Sequence, residues 1–201
     1  MSTVAKTTPT PAADARVQRA DARRNRRRVL DAARAGFAED GLDVHVEKIA
    51  RVAGLGVGTV YRHFPTKEDL LEALADDRFA GLAEAARAGL DDPDPWNGFA
   101  GFMRHSAKVM AEDRALSEAM DQRPEVCSRA AAEVDLLGIV AELIARAQGV
   151  GALRPDLTAE DVPSLICGLG RATRAKEGAL AMSWERYLEI VLAGLRAPAP
   201  A

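Results

Sequence analysis

Apolar residues recur at helical spacing along most of this chain. Val29, Leu30, Ala33 and Phe37 form one stripe, which predicts a helix over about 21–40 closed by Gly41 as a left-handed cap. Ile49, Ala50, Val52 and Ala53 predict a second, short helix. The chain then turns through Gly54-Leu55-Gly56, with Leu55 as an apolar plug, into a third helix where Val60 and Phe64 make an i,i+4 pair. Pro65-Thr66 breaks the run. Thr66 as N-cap and Asp69 three residues on open a helix carrying Leu70, Leu71, Leu74 and Leu82 to about Gly89, and the acidic, proline-punctuated 91–95 is a loop.

The same period continues beyond the loop. Phe99, Phe102, Met103, Ser106 and Met110 share one helical face, with His105 at its edge. A short helix around 115–120 and a long one over about 124–148, striped by Val134, Leu137, Ala141 and Ile144, follow; Gly149 and Gly151 stop the latter. Thr158 with Asp161 resembles a capping box opening a helix to about Lys176, striped by Val162, Ile166, Leu169 and Thr173. The last helix, 183–195, shows Trp184, Tyr187, Leu188, Val191 and Leu195. No convincing two-residue alternation occurs, so the expected fold is all-α. Its expected divisions are a flexible Pro- and Thr-rich arm (1–20), a small three-helix unit (21–66) and a larger helical body (67–197).

Two short helices joined by a Gly-rich turn, the second tipped with Thr59, Tyr61, Arg62 and His63, form the pattern of a helix-turn-helix, whose second helix enters the major groove. Ile49-Ala50, Ala53-Gly54-Leu55, Gly58-Thr59, Tyr61, His63-Phe64, Lys67-Glu68 and Leu70 resemble the DNA-binding signature of the TetR family of bacterial transcriptional repressors. The resemblance covers Val29 to Leu74 and departs at two positions. His45 stands where the family usually has Thr or Ser, leaving either His45 or Asp43 to cap the second helix; Gly56 replaces a Ser at the cap of the third.

The resemblance implies a homodimer on a pseudo-palindromic double-stranded operator and a small-molecule effector in the body. The candidate DNA contacts are His45, Lys48, Val57, Gly58, Thr59, Tyr61, Arg62, His63 and Lys67. Thr59, Tyr61 and His63 would meet phosphates, Val57 a thymine methyl, and Arg62 either a guanine or a surface carboxylate. Phe99, Phe102, Met103, Ser106 and Met110, with Leu137 and Ala141, are either plain core or the wall of an apolar pocket. Ile166, Leu169, Thr173, Trp184, Tyr187, Leu188, Val191 and Leu195 are the candidate dimer interface, as the last two helices pair across a two-fold axis in the family.

Charge changes this picture modestly. The net charge of −3 hides a basic front: residues 1–75 carry 13 basic and 10 acidic side chains, the remainder 14 and 20. Arg23, Arg24, Arg26, Arg27 and Arg28 read as a solvated helix start or as a segment tracking the DNA backbone. Gly54-Leu55-Gly56-Val57-Gly58 imitates a dinucleotide-binding fingerprint, but a helix precedes it rather than a strand. Three histidines without a partnered nucleophile, and two cysteines (Cys127 and Cys167) without metal spacing, argue against an enzyme, a metal or a cofactor. The expected location is cytoplasmic, with no membrane segment, since no apolar run reaches roughly 18 residues. The runner-up function is a DNA-binding regulator whose body docks another protein.

Overall fold

The computed structural model describes residues 11–113, 117, 120, 122–172 and 182–197. Among these the architecture is helical: α1 (Pro11–Asp40), a 3₁₀ turn (Gly41–Asp43), α2 (Val46–Ala53), α3 (Val57–His63), α4 (Lys67–Leu90), α5 (Pro95–Glu112), α6 (Pro124–Glu133), α7 (Leu136–Gly149), α8 (Asp161–Ala172) and α9 (Trp184–Leu195). The chain forms two compact units divided between Leu70 and Leu71, inside α4 rather than before Lys67.

In the first unit, α1 packs on α2 and α3. Val29, Leu30, Ala33 and Phe37 are buried as their spacing requires, and Ile49, Ala50, Ala53, Val60 and Phe64 close the core from the other side. Two expectations are corrected. Residues 11–20, assigned to a flexible arm, are the first turns of α1, with Pro11 at a position where its missing N–H is no loss; residues 1–10 of that arm lie outside the described residues. Val52, expected inward, is 57% exposed, because the inward face of α2 is spent on Ile49, Ala50 and Ala53 at i, i+1 and i+4.

In the second unit, α5 is the central helix, packed on α7, α8 and α9. Phe99, Ala100, Met103 and Ala107 meet Leu143, Ala147, Leu169 and Leu192 in its core. The approach of α4 and α5 is so close at Gly89 and Gly98 that a Cβ on Gly98 would collide with the Gly89 carbonyl oxygen. Helix ends are capped by local side chains. Asp94 accepts from the amides of Trp96 and Asn97, and Asp161 accepts from the amide and hydroxyl of Thr158, both at 2.9 Å. Those bonds hold the Asp161 carboxyl below its ordinary range.

The single helix expected over 124–148 is two. Asp135 takes a left-handed backbone (φ 51°) and separates α6 from α7. Aspartate enters that conformation more readily than most residues. The break resets the helical phase, so the buried face of α7 is Ile139, Val140, Leu143, Ile144 and Ala147 instead of the stripe read through Leu137 and Ala141, which are exposed. The helix expected at 115–120 and the end of the one expected to reach Lys176 fall largely outside the described residues.

Candidate nucleic-acid interface and internal cavity

The helix-turn-helix is set by glycine and a few backbone hydrogen bonds. Gly54 ends α2 in the left-handed region (φ 64°), and its amide and that of Leu55 return to the last carbonyls of α2. Arg28 donates to the Gly54 carbonyl oxygen at 3.3 Å, fastening the turn to α1. Leu55 is half-buried beneath it. Gly56, extended, is the N-cap of α3 and supplies no side-chain bond.

With Val60 and Phe64 turned inward, α3 presents a surface row. Tyr61 is 44% exposed, Arg62 is exposed, and Val57, Thr59 and His63 are half-buried beside them. A Cβ on Gly58 would meet nothing in the protein, so the helix itself does not require glycine there. His45 is the N-cap of α2, but its side chain makes no capping hydrogen bond and is exposed. Asp43 beside it is also exposed, so neither residue takes the capping role left open in the sequence.

Two of the candidate cations are committed within the protein. The Lys48 ammonium binds Glu39 at 2.7 Å and Asp40 at 2.8 Å, hydrogen bonds that hold its pKa above the usual lysine value. The Lys67 ammonium donates to the carbonyl oxygens of Leu42 and Val44, the segment leading into α2. Both side chains, which are among the candidate DNA contacts, make these bonds within the domain. The arginine run is partly committed as well: Arg24 pairs with Asp21, Arg27 with Asp31, and the Arg26 guanidinium lies 5.2 Å from the Phe64 ring centre.

The second unit holds a half-open cavity of about 430 Å³. Of the candidate pocket residues, Phe102, Ser106, Met110 and Leu137 line it. Phe99 and Met103 do not; both are fully buried in the packed core. Ala141 instead edges a shallow groove with Thr158 and Ala159. Sequence reasoning missed Arg78, which stands in the wall with Ser117, Met120 and both cysteines. A signal was present: Leu70, Leu74, Arg78 and Leu82 recur every fourth residue, so a charge interrupts an apolar stripe. Among the described residues neither Cys127 nor Cys167 is joined in a disulfide.

Four of the eight residues assigned to a dimer interface face the core of the chain itself. Ile166, Leu169, Leu188 and Leu195 are buried there, and Ile166 also reaches the cavity. Trp184, Tyr187 and Val191 are half-buried against the same core, and Thr173 lies outside the described residues. The apolar stripe of an amphipathic helix faces the core it packs on, which here includes α5. The outward row of α9 is Arg186, Ile190, Ala193 and Gly194, with Ile190 48% exposed.

Comparison with known proteins fits both units. A family model described as bacterial regulatory proteins, tetR family, matches residues 29–74. Another, described as the C-terminal domain of SbtR-like transcriptional regulators, matches residues 94–197, more than half of the chain. The chain belongs to the TetR family.

Solved TetR-family structures agree with it over nearly their whole length. A TetR transcription regulatory protein from Mycobacterium vanbaalenii is 36% identical, with 90% of this chain and 99% of that one covered and a TM-score of 0.66. A TetR transcriptional regulator from Streptomyces coelicolor is 31% identical, with coverage of 87% and 99% and a TM-score of 0.64. An HTH-type transcriptional regulator of Staphylococcus aureus (strain USA300) is 43% identical over 53 residues, which is 26% of this chain and 29% of that protein. This TetR-family protein is a transcriptional regulator with an N-terminal DNA-binding domain. Among its described residues no helix is long and apolar enough to cross a membrane.

Proposed function

We propose that this TetR-family regulator is a cytoplasmic repressor that binds a pseudo-palindromic operator as a homodimer and is released when a small molecule fills the cavity of its body. The cavity carries the reading. At about 430 Å³ it has the size of small-molecule sites, and Arg78, Phe79 and Leu82 of its wall belong to α4, the helix that begins at Lys67. A ligand that favours one position of α4 over another biases the domain that helix leads from.

On the DNA side, Arg62 is the base reader, while Thr59, Tyr61, His63 and His45 contact phosphates and Val57 meets a thymine methyl. The exposure of that row and the absence of any steric demand for Gly58 support these roles. The dimer contact is the outward row of α9 around Ile190. A two-fold pair would set two α3 helices in successive major grooves, about 34–36 Å apart. A body without a cavity would have favoured a regulator that docks another protein; the cavity weighs against that alternative.

Footprinting on DNA flanking the protein's own gene tests the proposal. Symmetric protection of two half-sites is expected, with a particle of twice the chain mass in solution. A monomer, or no protected site, would overturn it.

A further inference from the structure

We infer that the cavity takes a molecule with an apolar frame and a carbonyl oxygen, and that the hydroxyl of Ser106 donates to that oxygen. This rests on reading the cavity as the effector site and goes further by naming a group on the effector and the residue that recognises it.

Ser106 lies on α5 one turn from Phe102 and one turn from Met110, and all three line the cavity. Its face of the helix is otherwise apolar, carrying Phe99, Phe102, Met103 and Met110. Alanine there would favour the helix more and bring no polar atom. The serine is nonetheless only 5% exposed, and its Oγ is buried without a hydrogen-bond partner. Serines inside helices commonly bond the carbonyl one turn back. Ser117 does so, donating to the Asp113 carbonyl oxygen at 3.0 Å. Ser106 makes no such bond. A buried hydroxyl left without a partner is unfavourable, and a ligand group in the cavity would supply one. Oγ turns on a single bond, so it reaches such a group without movement of the backbone.

The nature of that group follows from what the hydroxyl lacks. Its O–H is an unmet donor and calls for an acceptor. A carbonyl oxygen meets it and brings no second donor into a space bordered by Phe79, Leu82, Leu137, Val140 and Ile166. A ligand hydroxyl would carry a proton of its own to satisfy, and a pure hydrocarbon would leave the serine as it is. The apolar side chains hold the frame, and a cavity of about 430 Å³ has room for two fused rings.

The test is a cycle between the side chain and the ligand group on the full-length protein. Two probes of one shape are used, 2-acetylnaphthalene and 2-isopropenylnaphthalene, in which a methylene replaces the ketone oxygen. Equilibrium dialysis gives the affinity of each for the unaltered protein and for Ser106→Ala. The ratio of ketone to alkene affinity should be about three- to tenfold larger in the unaltered protein, in line with one buried hydrogen bond. Comparing ratios removes the difference in the probes' own hydration. An equal ratio in the two proteins, or failure of both probes to bind, overturns the inference. A second measurement needs no ligand: Ser106→Ala should leave the melting temperature of the free protein unchanged or raised. A fall of more than about 4 °C would mean that the hydroxyl is already bonded within the protein, and overturns the inference as well. A ketone preference that depends on Ser106 while operator DNA stays bound upholds the contact and removes the effector reading. Operator release by both probes alike, in both proteins, upholds the effector reading and overturns the carbonyl contact.

Discussion

Lys67 and Arg62 are neighbours in sequence with opposite assignments. The Lys67 ammonium is tied to the carbonyls of Leu42 and Val44, whereas Arg62 is exposed on α3. Replacing Lys67 with Met leaves those carbonyls without their donor and should lower stability by about 1–2 kcal/mol in denaturant titration, with the salt dependence of DNA binding unchanged. Arg62→Ala should leave stability within about 0.5 kcal/mol and weaken operator binding by roughly 1–3 kcal/mol, with relaxed preference at one base. A shallower salt slope for the Lys67 variant would return that residue to the phosphates. Asp161 gives a pH-dependent case. Its carboxyl is held below the ordinary value by Thr158, so it adds stability above the unfolded carboxylate pKa, and this contribution disappears as pH falls through the lower folded value. Asp161→Asn should therefore flatten the acid limb of a stability–pH curve while leaving its shape near neutrality intact.

At the scale of elements, the crossing of α4 and α5 tolerates nothing larger than glycine. Gly98→Ala sets a methyl against the Gly89 carbonyl and should cost about 1–3 kcal/mol, read as a lowered melting temperature. The junction of α6 and α7 predicts the opposite sign: Asp135→Gly relieves a left-handed aspartate that forms no capping bond, and should stabilise by up to about 1 kcal/mol. These two sites show where the sequence was readable. Helix positions and caps followed from spacing and from pairs such as Thr66 with Asp69, because both depend on near neighbours. The break at Asp135 did not, since apolar periodicity runs through it and only the phase shift of Ile139 and Leu143 betrays it afterwards. The cavity was half legible for the same reason. Phe102 and Ser106 were on the right helix face, but which apolar residues border a void and which fill the core depends on the helices opposite.

Across the whole molecule, the outward row of α9 is the proposed contact between two copies. Ile190→Asp places a charge at the centre of that row without touching Leu188, Leu192 or Leu195 of the core. It should yield folded monomers by light scattering and abolish half-site cooperativity on DNA. An unchanged dimer would move the interface elsewhere. The basic front and acidic remainder also predict salt-sensitive DNA binding. At the far end of α4, Arg146 donates to the carbonyl oxygens of Leu90 and Asp92, each at 2.6 Å, and reaches Gly89 at 3.4 Å. Helix termini ordinarily fray because their carbonyls have no partners, but here a guanidinium occupies them as a stopper. Under the proposed release by a small molecule, an end closed in this way leaves the last turn little freedom to unravel, so a push on α4 at its cavity-lining residues would be taken up as a tilt of the rod.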